Sequence, residues 1–142
     1  MAIKSLNLSK EIVLTSALDK GDPKDKTKFT VGTLDSRLVA MLRDKATTVT
    51  MNPTKPDDEV DSQINMNIVN FEACVYGLRN IENFKDDAGN DISVIFTKRN
   101  HGGVSYRVVD PATVSLIPHA VVAELGAKIM ADNELAEVDV KN

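Results

Sequence analysis

Between Asn65 and Asn90 the chain reads NMNIVNFEACVYGLRNIENFKDDAGN, and Ile68, Phe71, Val75 and Leu78 recur there at steps of three, four and three residues. That spacing lines apolar side chains along one helical face, with Cys74 beside them, and such a face requires other elements to cover it. The helix is expected to end between Leu78 and Phe84, where the chain turns polar, and Ala88-Gly89-Asn90 predicts a turn into a strand.

With 142 residues the chain fits one domain, 1–142, able to bury about two-thirds of its unfolded surface, so its core needs neither metal nor disulfide. Cys74 is the single cysteine and lies on the apolar stripe, which makes it a small core residue. No window approaches the ~18 apolar residues of a membrane span, and no apolar stretch follows Lys4, so no membrane association is expected and the protein belongs in a cytosol or in something assembled there. Residues 1–56 hold ten Lys or Arg against six Asp or Glu, and 57–142 hold seven against fifteen, so the halves carry +4 and −8. Neither half is a nucleic-acid platform, because Lys20, Lys24, Lys26 and Lys28 alternate with Asp19, Asp22 and Asp25 in what reads as a solvated, flexible loop.

In chain order, residues 11–15 (EIVLT) and 28–31 (KFTV) are short β-prone runs that can pair as a hairpin across that loop. Asp35 marks a helix start, with Leu34 and Val39 placed as a hydrophobic staple, and the helix runs from Ser36 to Lys45 with Leu38, Met41 and Leu42 as its apolar face. The apolar period then vanishes over residues 46–63, through two prolines, a threonine cluster and Asp57-Asp58-Glu59-Val60-Asp61. This segment reads either as a mobile loop on a monomer or as a loop or arm that only a partner orders, with residues 47–51 (TTVTM) able to add as an edge strand to a neighbouring sheet. Ile92, Val94 and Phe96 alternate with Ser93, Ile95 and Thr97, then Asn100-His101-Gly102-Gly103 supplies a turn before Val104, Tyr106 and Val108 resume the alternation, which predicts a hairpin. Asp110-Pro111 caps a short helix to Ile117, Pro118 interrupts it, and residues 119–132 place Val122, Leu125, Ile129 and Met130 on one face, with Gly126 allowing close helix packing. Residues 133–142 are an acidic tail. The fold expected is α+β, a small antiparallel sheet made of hairpins packed with three to four helices.

Motifs that carry chemistry are thin. His101 and His119 have no Cys or carboxylate at metal-ligand spacing. Setting Gly89 at the sixth position of a calcium loop puts Phe84 where the first carboxylate belongs, which excludes an EF-hand. Gly102-Gly103 is explained by a hairpin turn, and the chain has no phosphate loop, serine elbow or HExxH. No catalytic residue, metal or cofactor is therefore expected, and the chain reads as a non-enzyme. Lys98, Arg99, His101 and Arg107 form a local basic cluster at one end of the hairpin, which reads first as a solvated tip and otherwise as a surface for nucleic acid or for an acidic protein.

The run Gly77-Leu78-Arg79-Asn80-Ile81-Glu82-Asn83-Phe84, then Asp86-Asp87-Ala88-Gly89-Asn90, a hairpin, Leu116-Ile117-Pro118, and Glu124-Leu125 with Ile129 resembles a group of small tailed-bacteriophage morphogenesis proteins described as tail-assembly-chaperone-like. The likeness spans residues 67–137. It implies a non-enzymatic virion structural or accessory protein of the capsid, neck or tail, found in the virion or in the host cytoplasm during assembly. Its partners would be other phage structural proteins, and it would be a homo-oligomer or a multi-copy component of a symmetric assembly. The alternatives are a tail assembly chaperone absent from the mature virion and a small regulatory nucleic-acid-binding protein. Contacts with partners are expected at Thr47, Val49, Met51, Asp57, Asp58 and Glu59 of the arm and at Lys98 and Arg99 of the hairpin.

Overall fold

In the computed structural model, which describes residues 2–51 and 60–133, the first two apolar runs form an antiparallel hairpin: β1 (Glu11–Thr15) pairs with β2 (Lys28–Gly32). The register sets Ile12 opposite Val31 and Leu14 opposite Phe29, so the alternating apolar residues of both strands share one face. A third strand, β5 (Leu78–Glu82), joins β2 from the other side, giving the order β1-β2-β5 with a bulge between Thr30 and Val31. The long connection between β1 and β2 is not the flexible turn its charge pattern suggested. The Asp19 carboxylate accepts from the Gly21 and Thr27 amides at 3.0 and 3.1 Å, and those two bonds hold its carboxyl below its ordinary range. Asn83, with a left-handed φ of 59°, donates from its side chain to the Asp25 carbonyl at 2.6 Å and accepts from the Thr27 hydroxyl at 2.9 Å, which ties the connection to the end of β5.

Asp35 caps α1 (Ser36–Ala46) by accepting from the Leu38 amide at 2.8 Å, and Leu38, Leu42 and Ala46 are its buried face, while Met41 is half-buried. The chain then passes directly into β3 (Thr47–Met51), which pairs antiparallel with β4 (Val60–Ile64). The expectation of a loop or arm that only a partner orders is corrected for residues 47–51 and 60–63: they are strand, and the neighbour of 47–51 is the chain's own β4. The ribbon's root is closed by the Asn65 amide donating to the Ala46 carbonyl at 2.9 Å.

Helix α2 (Met66–Gly77), capped by Asn65, lies between α1, α4 and β7 and forms the centre of the core. Two expectations about it are corrected. Its burial is not one stripe: Ile68 and Phe71 are half-buried, whereas Val69 and every residue from Glu72 to Gly77 are buried, because the C-terminal half is covered on several sides. The helix also ends at Gly77, and Leu78 opens β5 instead of closing a helix. Leu78 and Ile81 point into the core there, so pairing with β2 satisfies both the backbone and the apolar side chains.

The second hairpin has β6 (Phe96–His101) and β7 (Val104–Val109), with Gly102 and Gly103 at φ 59° and 78° as its two-residue turn. Its first strand begins at Phe96, not Ile92. Asp110 caps the four-residue α3 (Pro111–Val114), and α4 (His119–Ala131) buries Val122, Leu125, Ile129 and Met130 as its periodicity predicts. Gly126 makes the α2–α4 crossing possible, since a Cβ there would lie 2.5 Å from the Asn70 Cα. The architecture is α+β, with four helices and small antiparallel sheets among the described residues. Cys74 is fully buried, and burial pushes its thiol up to about 12. No helix among the described residues is long and apolar enough to cross a membrane.

Candidate partner-binding surface

Among the described residues, the β3–β4 ribbon and the β6–β7 hairpin are the two strand pairs outside the three-stranded sheet, and they differ in how the core holds them. Register places Thr47 opposite Ile64, Val49 opposite Ser62 and Met51 opposite Val60. The Thr47 hydroxyl donates to the Arg43 carbonyl at 2.6 Å, so Thr47 is partly engaged at the α1 terminus. Asp57, Asp58 and Glu59 lie outside the described residues, as does the tail beyond Asn133. At the ribbon's root, Ile64 and Met66 are exposed and form one wall of a groove of about 270 Å³ whose other wall is Ala127, Met130 and Ala131 of α4. No local pattern marks this groove, because its walls are more than sixty positions apart along the chain.

In the second hairpin, strand alternation separates the basic cluster into two faces. Lys98 is exposed and stands opposite Arg107, whose guanidinium lies over the Phe96 ring at 3.8 Å from its centre. Arg99 points the other way. It donates to the Glu72 carboxylate at 2.7 Å and lies 5.6 Å from the centre of the Tyr76 ring. Its place is therefore an internal ion pair, and the expectation that it shares an open hairpin tip with Lys98 is corrected: successive strand residues face opposite ways. His101 is half-buried beside the turn, and Arg37 of α1 reaches the Gly102 carbonyl at 3.5 Å.

Glu72 was not singled out by sequence, yet it organises this end of the molecule. It is 7% exposed, and its second carboxylate oxygen accepts from Lys45 at 2.5 Å. Burial alone pushes the Glu72 carboxyl up; the hydrogen bonds and charges of Lys45 and Arg99 outweigh it and hold the group below its ordinary value. From Arg99 the contacts continue through Tyr76, which meets the Tyr106 ring edge-on at 5.9 Å, to the Tyr106 hydroxyl, which donates to the second oxygen of Asp35 at 2.9 Å. Burial and then the Asp35 carboxylate push the Tyr106 hydroxyl up. The chain of contacts binds α1 by both ends to α2 and the hairpin, so Lys98 and Arg107 are displayed on a rigid support.

A separate cleft of about 600 Å³ opens between the β1–β2 connection and the start of α4, lined by Ser16, Leu18, Asp19, Asn83, Phe84 and Pro118 among others. Its polar groups are largely committed to holding the connection in place. Among the described residues, no group of three or more His, Cys, Asp or Glu side chains is arranged to hold a metal ion.

No protein-family model, curated protein or solved structure matches the chain.

Proposed function

We propose that the protein is a non-enzymatic bacteriophage virion component, structural or accessory, that binds neighbouring phage proteins through the β3–β4 ribbon and the Lys98–Arg107 face of the second hairpin. The observation that carries this reading is the ribbon. Among the described residues no third strand joins it, so it offers backbone donors and acceptors to a partner's strand. Lys98 and Arg107 stand opposite one another in register, so a partner carboxylate placed against this face would meet two cations. Arg99, neutralised internally, contributes nothing to such a contact. The net charge of −4 argues against extended nucleic acid as the partner.

Purified phage particles test this reading. A structural or accessory component remains with them at a fixed ratio to the other virion proteins. Presence in assembly intermediates and absence from mature particles would instead identify a tail assembly chaperone. Salt-dependent retention on DNA by the purified protein would favour the regulatory alternative.

A further inference from the structure

β1 ends the main sheet, but the core does not end there cleanly. Its inward residues Ile12 and Leu14 are only half-buried, while their β2 partners Val31 and Phe29 are 1% and 3% exposed. On the outer face Val13 is 60% exposed. Among the described residues, no backbone group outside β2 pairs with this strand. Edge strands are ordinarily protected by a lysine or proline within the strand, a bulge or a covering element. EIVLT has no lysine or proline, and the bulge of this sheet lies between β2 and β5.

The strand is also complementary to itself. Antiparallel pairing of two copies about a twofold axis through Val13 sets Ile12 against Leu14, Glu11 against Thr15 and Lys10 against Ser16. No like charges oppose one another, and the apolar residues of one copy meet those of the other. The twofold brings Ile12 and Leu14 of each copy side by side on the core face, and Val13 against Val13 on the outer face.

We propose that a second copy of this chain pairs with β1 in this register, joining two three-stranded sheets into one of six strands. This inference stands independently of the virion reading, since it needs only the strand and its exposure. A five-residue ladder makes a small interface, so the dimer is reversible and forms across roughly micromolar to millimolar concentrations.

Sedimentation of the purified full chain from ~1 µM to ~1 mM, a range suited to so small an interface, tests it together with site-directed crosslinking. The parent is expected to shift from 15.5 kDa to twice that mass as concentration rises. Val13→Lys sets like charges against each other at the twofold and is expected to raise the dissociation constant at least about tenfold. Val13→Thr, still β-branched and uncharged, is expected to keep the dimer. Val13 is exposed, so circular dichroism and thermal melting of Val13→Lys should match the parent. Val13→Cys is expected to form an intermolecular disulfide faster than Lys24→Cys, whose thiol would sit in the exposed connection. Buried Cys74 does not compete. A parent that stays monomeric throughout, a dimer unaffected by Val13→Lys, or equal crosslinking at positions 13 and 24 would each overturn the proposal.

Discussion

Glu72 is expected to contribute to the acid sensitivity of the fold, because it is a buried carboxylate paired with Lys45 and Arg99. Its folded value is depressed below the ordinary 4.5. Unfolding therefore raises its proton affinity, and the stability it confers is present above the unfolded value and lost as pH falls through the folded one. Urea midpoints measured from pH 7 down to pH 3 are expected to fall steeply below about pH 4.5 in the parent and less steeply in Glu72→Gln. At neutral pH the substitution removes two charge-assisted bonds at a buried site and should cost about 1–3 kcal/mol. Identical pH profiles would show that the pair does not contribute. This residue was not legible in the sequence: each partner lies 27 positions away, and no local spacing connects them. Cys74 was legible, because helical periodicity alone places it in the core.

The crossing of α2 and α4 depends on Gly126. Alanine is the better helix former by about 1 kcal/mol, so an isolated helix would gain from Gly126→Ala. Here the added Cβ meets the Asn70 backbone, which cannot rotate aside, and the two helices must separate. The packing cost of about 1–3 kcal/mol should outweigh the propensity gain, lowering the thermal midpoint. A midpoint at or above the parent's would mean the crossing is looser than described. The same scale explains which elements sequence predicted well. α1, the tip of the second hairpin and α4 announce themselves through Asp35, Gly102-Gly103 and a sustained apolar period, all local signals. β5 does not, because Leu78 and Ile81 suit either helix or strand, and only pairing with β2 decides between them. Phe71 illustrates the consequence: as a half-buried residue, its replacement by alanine should cost less than the about 3–5 kcal/mol of a fully buried phenylalanine.

At the scale of the whole molecule, the ribbon is separable from the core. Its root is closed by the Asn65–Ala46 backbone bond, so the ends left by removing residues 47–63 already lie together. A deletion joined by a short Gly-Ser linker is expected to remain folded, with a cooperative melt, and to lose assembly. Full complementation of phage production by that variant would remove the ribbon from the proposed interface. Lys98→Glu should weaken association chiefly at low salt while leaving stability near the parent's, as expected for an exposed rim charge. Arg99→Glu is not an equivalent test, because it sets a carboxylate against Glu72 and should unfold the support itself. Partner identity was never legible in the sequence, since the acidic arm and the cationic face describe a chemistry and not a neighbour. The most direct measurement is quantitative mass spectrometry of purified mature particles. The proposal predicts this chain at a fixed, reproducible ratio to the other virion proteins, and its absence from infectious particles would contradict it.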